Sequence, residues 1–205
     1  MKNKQLLTAT TAPLNELVRI VGAVAMHASK DHARLALTVI KIDADGMTAT
    51  DSYTAATFTP ITPISTGQAM MIDAKELVTA ITAGTKTFKR DAAVAVIDTV
   101  GSQWRLTITG TTATTTATGD LINIEYPKVK VVMDGARSSG DYIYSPTGVN
   151  PSYLANLCDA SVKFSGKDGS PMVLKNWQDP TKPMLFETSC DLGTLTQILM
   201  PQRLK

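Results

Sequence analysis

Residues 69–84 read AMMIDAKELVTAITAG, and two periodicities meet inside them. Ala69–Ile72 is a short apolar run that suits a strand. At Asp73 the period changes. Asp73-Ala-Lys-Glu76 has the spacing of a capping box, with Asp in the place of the usual Ser or Thr. Leu77, Val78 and Ile81 then form an apolar stripe at helical spacing, and Gly84 reads as the stop of the helix. A strand running straight into a short amphipathic helix is therefore the unit to seek elsewhere in the chain.

It occurs twice more. Upstream, TAPLNELVRIVGAVAM places Leu14, Leu17, Val18, Val21 and Val24 on one helical face, with Thr11 as cap and Pro13 in the first turn. Downstream, DYIYSPTGV leads to Asn150-Pro151, a cap followed by proline, and then the helix SYLANLCDA. Strands follow each helix. The first set is RLALTVIKID and MTATDSYTAATF, joined at Asp45-Gly46, where glycine supplies the backbone angle of a hairpin turn. The second is AAVAVID, QWRLTITG and the threonine-rich TTATTTATG. In QWRLTITG, Trp104, Leu106 and Ile108 alternate with Arg105, Thr107 and Thr109, so one face is buried and the other wet. The third is SVKFSG, PMVLKNW, MLFETSCD and TQILMP. DGARSSGD reads as the linker before the third unit. The layout predicts an α+β fold of three repeated units, each a short helix plus antiparallel strands.

Bulk properties narrow the function. The 205 residues are 43% hydrophobic and 19% charged with a net charge of +2, so a basic surface has to be local. Two cysteines, Cys158 and Cys190, are too few for a disulfide framework and read as buried thiols in a reducing, cytoplasmic setting. No apolar run reaches membrane-spanning length, and MKNKQLLTATTAP lacks the apolar core of a secretion signal. No membrane partner is expected. Enzymatic motifs are missing: His27 and His32 do not have zinc-protease spacing, and there is no G-x-S-x-G stretch or phosphate-cradling glycine loop. IDADGMT lacks the later ligands of a calcium loop and reads as a hairpin turn. Neither catalysis, a metal nor a cofactor is expected.

Four stretches, in this order, resemble landmarks of the bacterial sliding clamp, the beta subunit of DNA polymerase III. TATDSYTAATF is similar to the strand end of the clamp's middle domain, and MIDAKELVTAI to the strand and helix that open that domain's second half. GDLINIEYPKVKVVM is similar to its aromatic-proline stretch, and ILMPQRL to its closing Met-Pro-Met-Arg-Leu. The resemblance implies a DNA-clamp-like fold with two parts. Residues 1–134 match the middle domain, and 135–205 match the second half of the last. The clamp's first domain has no counterpart. Ser52-Tyr53-Thr54-Ala55 replaces the Gly-His-Arg-Leu of many clamps, and Gln202 replaces a methionine.

By the same resemblance, the chain would be a non-catalytic processivity factor in DNA replication, of a kind suited to a phage or mobile element. It would encircle double-stranded DNA through phosphate contacts without reading sequence. A short linear motif of a DNA polymerase or clamp loader would enter an apolar groove. That groove would use Met200, Pro201, Gln202, Arg203 and Leu204, faced by Thr50, Asp51, Ser52, Tyr53, Thr54 and Ala55 and by the stretch from Pro127 to Val132. The DNA-facing residues would be Arg19, Lys30, His32, Arg34, Lys75, Lys86, Lys89 and Arg90. A family ring holds twelve such units, which four copies would supply, so a homo-oligomer is expected. The alternatives are a truncated clamp homologue acting as an adaptor or decoy outside any ring, and a structural β-rich viral protein.

Overall fold

The computed structural model describes residues 9–61, 69–89, 92–137, 148–166, 169–176 and 182–202. Two units of the repeat build one domain by exchanging their leading strands. β1 (Ala9–Pro13) runs into α1 (Leu14–Ala25), followed by β2 (Val39–Asp43), β3 (Gly46–Thr50) and β4 (Thr54–Pro60). β5 (Met70–Asp73) runs into α2 (Ala74–Thr87), followed by β6 (Val94–Val100), β7 (Gln103–Thr109) and β8 (Thr114–Asp120). β1 nevertheless pairs with β6, and β5 pairs with β2. Neither sheet of the first two units is complete without a strand from the other.

The short helix α3 (Val129–Arg137) crosses residue 134, the boundary expected between the two parts. The third unit carries α4 (Pro151–Ser165), β9 (Met172–Asn176), β10 (Met184–Cys190) and β11 (Gly193–Leu199). Its strands extend the first unit's sheet. The two sheets run β1-β6-β7-β8 and β5-β2-β3-β4-β11-β10-β9, with β11 antiparallel to β4 over its whole length. α1 packs against both α2 and α4, and Leu17, Val21 and Val24 share one core with Ile42, Phe58, Ile97 and Phe164. Phe58 and Phe164 meet at a ring-centroid distance of 5.7 Å across the junction. Each buried ring of this size stabilises the junction by roughly 1.5–3 kcal/mol.

Several local readings change. Asp73 caps α2 as expected, accepting from Lys75 N–H at 2.9 Å and Glu76 N–H at 3.0 Å. Gly84 does not end that helix, which continues to Thr87. It lies inside because a Cβ there would collide with Ile108 Cδ1 of β7. Thr11 does not cap α1; Pro13, the last residue of β1, is the N-cap. Residues His32–Leu37 form a 3-10 helix rather than strand, opened by Asp31 accepting from Ala33 N–H. SVKFSG is the end of α4, not a strand. In a strand Val162 and Phe164 would share a face, yet they are 67% and 0% exposed, as a helix requires. The first residues of the expected linker, Asp134–Arg137, belong to α3. Cys158 is exposed and Cys190 half-buried, so the thiols are not both sealed in a core.

Candidate partner groove and basic surface

The terminal strand and the turn between β3 and β4 are bonded together. Leu199 pairs with Thr54 and Ile198 with Ala55, and the Met200 N–H donates to the Tyr53 carbonyl at 3.0 Å. The turn is organised by Asp51. One carboxylate oxygen accepts from Tyr53 N–H (2.9 Å), Thr54 N–H (2.7 Å) and the Thr54 hydroxyl (3.1 Å). The Thr50 hydroxyl donates to the Thr54 carbonyl at 2.8 Å. Ser52 is left at a φ of 78°, which only a well-determined turn sustains in a residue with a side chain.

Of the groove residues expected here, Thr50, Thr54 and Ala55 are buried, while Ser52, Tyr53, Met200 and Gln202 are exposed and Asp51 and Pro201 half-buried. Tyr53 stacks on Tyr153 of α4 with ring centroids 5.4 Å apart. The Gln202 N–H donates to the Gly148 carbonyl at 2.8 Å, which holds the chain past Pro201 against the entry to α4. Arg203 and Leu204 lie outside the described residues.

The other expected wall sits on α3. Val129 and Met133 pack on Ala55, Leu185 and Ile198, and Tyr126 donates its hydroxyl to the Thr48 carbonyl at 3.1 Å. Burial raises the Tyr126 phenol well above its ordinary pKa, so it remains a donor. Pro127 is half-buried and Val132 exposed. The two walls thus meet through Ala55 and Ile198, with α3 laid over them. Pro127 lines a cavity of about 520 Å³ together with Thr48, Thr57 and Arg137, whereas Tyr53 opens on a different one.

That second cavity, of about 820 Å³, lies among α1, α4, the 3-10 helix and the start of α2. Lys30, His32, Arg34 and Lys75 border it, as do Tyr53 and Tyr153. Lys163 joins them, a cation that sequence reasoning misses because α4 reads as ending near Asp159. Its position three residues before the glycine at 166 is the available signal. Arg19 has a different task. Its guanidinium donates to the Phe164 carbonyl at 3.0 Å and the Ser165 carbonyl at 2.8 Å, closing the C-terminus of α4. Lys86 and Lys89 are exposed near the far end of α2, and Arg90 lies outside the described residues.

Behind this surface sits a buried polar chain that joins the turn after α1 to β11, α4 and β10. His27 Nε2–H donates to Gln197 Oε1 at 2.9 Å, the Gln197 amide donates to Ser161 Oγ at 2.8 Å, and the Thr188 hydroxyl donates to the same oxygen at 3.0 Å. Burial lowers the His27 pKa from 6.5 to about 4, so the ring is neutral. The Asp43–Gly46 turn binds cations of the protein itself: Lys41 reaches Asp43 at 2.7 Å and Lys130 reaches Asp45 at 2.8 Å. Among the described residues, no three His, Cys, Asp or Glu side chains gather as a metal site. No described helix is long and apolar enough to cross a membrane.

The strand exchange and the helix layer lead to solved structures. A beta sliding clamp of Caulobacter crescentus superposes with a TM-score of 0.66 at 15% identity, over 100% of this chain and 68% of that one. This is the fold of the bacterial sliding clamp. The DNA polymerase III beta subunit of Thermotoga maritima matches with a TM-score of 0.68 at 13% identity, over 97% of this chain and 66% of its own. The DNA polymerase sliding clamp of Bacillus subtilis matches at 0.63 and 14%, over 100% and 67%. The chain therefore spans about two thirds of the clamps it matches. No family model and no curated protein matches the sequence.

Proposed function

We propose that this protein is a non-catalytic clamp-like tether that holds a DNA polymerase, or its loader, on double-stranded DNA. The observation that carries the reading is the junction of the seven-stranded sheet. There β11 ends at Leu199 and the next residue, Met200, is bonded to the Tyr53 turn, beside a cavity rimmed with lysine, histidine and arginine. The solved clamps of this fold are described as DNA polymerase components, which supplies the class of partner. DNA would be held through its phosphates by Lys30, His32, Arg34, Lys75 and Lys163, without reading of bases. The partner's short motif would dock on Tyr53, Met200, Pro201 and Gln202, with Arg203 and Leu204 beyond them and α3 at the side. Holding the partner near DNA raises its effective concentration without tight contact to either. Several copies closed around the duplex would give retention by topology.

Retention on circular and linear DNA, compared as salt is raised, tests the reading. Salt weakens direct binding to phosphates, while a closed assembly remains on a circle. Circular DNA should retain the protein longer than linear DNA. Replacing Lys30, Lys75 and Lys163 by Ala should reduce the salt slope by about 0.9 for each phosphate that is no longer neutralised. Equal release from circle and line, with a slope that the substitutions leave unchanged, would refute the tether. Binding to one DNA copy by a monomer would instead identify an adaptor.

A further inference from the structure

We infer that the cavity between α1 and α4 takes an unpaired stretch of single-stranded nucleic acid, with one base stacked on the Tyr53–Tyr153 pair and the flanking phosphates on Lys30, Lys75 and Lys163. The cavity, of about 820 Å³, is walled by α1, the 3-10 helix, the start of α2 and α4. The aromatic pair in its wall distinguishes it from a plain basic surface. The two rings stack with centroids 5.4 Å apart and planes 14° from parallel. That contact uses one face of each ring, and Tyr53 is still 50% exposed. A half-exposed ring beside cations is a platform for a base of any sequence, because every base has a π-face. Duplex bases stack on each other and offer a protein only their edges and phosphates, so the platform favours an unpaired strand. Asn156, one turn after Tyr153 on α4, lines the same cavity and brings an amide that can donate to and accept from a base edge.

Charge points the same way. Among the described residues, Lys30, Lys75 and Lys163 form no ion pair within the protein. The two carboxylates in the wall are already engaged by the backbone. Asp51 accepts from the Tyr53 and Thr54 N–H groups, and Asp73 from those of Lys75 and Glu76. The lysines are thus left for phosphates while the acids are held. The loop that carries Lys30 is fixed as well: Ser29 N–H donates to the Leu37 carbonyl at 2.7 Å, and Asp31 N–H to Ser29 Oγ at 3.1 Å. The cavity at Pro127 lacks this character, since Lys41 and Lys130 are spent on Asp43 and Asp45. The inference rests on the DNA-binding reading of this surface and narrows it to the form of nucleic acid that enters the cavity.

Fluorescence anisotropy of the full chain tests it, with a labelled oligothymidylate of about twelve nucleotides and a blunt duplex of the same length, across a salt series. Tyr53→Leu and Tyr153→Leu should each lower the ratio of single-strand to duplex affinity about tenfold, the loss of one base–aromatic stack. Tyr153→Phe, which keeps the ring, should retain the ratio. Lys163→Ala should reduce the single-strand salt slope by about 0.7. If Tyr153→Leu fails to fold by circular dichroism, the exposed Tyr53 decides. Unchanged ratios in the folded leucine variants would overturn the inference. So would displacement of the oligonucleotide by poly-glutamate at equal charge concentration, which would assign the cavity to an acidic peptide. Absent oligonucleotide binding with duplex retention intact would also overturn it and leave the tether standing. Tight oligonucleotide binding with equal release from circular and linear DNA would support it and count against the tether.

Discussion

His27, in the turn after α1, ties the first unit to the third through Gln197, and its burial makes that tie sensitive to acid. The ring has its pKa lowered from 6.5 to about 4 in the folded chain, mainly because its charged form loses water. In the unfolded chain it titrates near the ordinary value. As pH falls below that value, unfolded molecules take up a proton that folded ones refuse, so stability drops with falling pH. The loss accrues from about pH 6.5 downward and is complete once pH passes the folded value near 4. Each unit of pKa difference is worth about 1.4 kcal/mol, so the window from pH 6.5 to 5 should cost about 2 kcal/mol. Asp45, whose pKa is lowered by its hydrogen bond to Lys130, titrates below its ordinary 3.8 and falls outside that window. Urea unfolding at about pH 7.5, 6 and 5 should show this fall in the wild type. His27→Gln, which keeps an amide N–H to offer Gln197, should lack it. Parallel pH profiles for the two proteins would refute the argument, because the slope would then belong to some other group.

Gly84→Ala should destabilise the protein by about 1–3 kcal/mol, against the usual gain from alanine in a helix, because the new methyl meets Ile108 Cδ1. A shift of the urea midpoint upward would contradict that packing. Asp51→Ala removes the acceptor of two backbone N–H groups and one hydroxyl and should cost about 1–3 kcal/mol. Hydrogen exchange at Met200 should quicken with it, since the Tyr53 carbonyl that accepts this N–H hangs on the same turn. Unchanged protection at Met200 would mean that the strand, not the turn, holds the terminus.

The helices α1 and α2 and the β2–β3 hairpin are legible in the sequence because their signals are local: a cap, an apolar period, an Asp-Gly turn. Sequence reasoning fails where a distant contact overrides the local signal. Gly84 looks like a stop only until Ile108 is seen against it. Val162 and Phe164 look like strand until α1 and the sheet pull Phe164 inward and leave Val162 outside. α3 has Val129, Met133 and Ala136 at helical spacing, yet the short stretch reads first as a proline-bearing wall, which hides the helix over Ala55 and Ile198. Of the candidate site, the closeness of Tyr53 to Met200 follows from the ordered landmarks. The structural task of Arg19 does not, because its acceptors are carbonyls about 145 residues away, whose position depends on where α4 ends.

Strand exchange also explains why the third unit is held differently from the first two. Each of the first two units gives away its leading strand and takes one in return. The first two units satisfy each other within one chain. Among the described residues, the third is joined to them by the β4–β11 ladder, the Phe58–Phe164 contact, the Arg19 bonds to the end of α4 and the chain from His27 to Thr188. Those contacts are internal to the protein and firm enough to place Lys163 and Tyr153 beside the cations of the first unit. The basic cavity lies on the flank of α4 that faces α1. Side-chain changes at Tyr53 or Lys163 can therefore alter that surface while the β4–β11 ladder and the buried chain stay intact, which makes the junction and the surface separable by mutation.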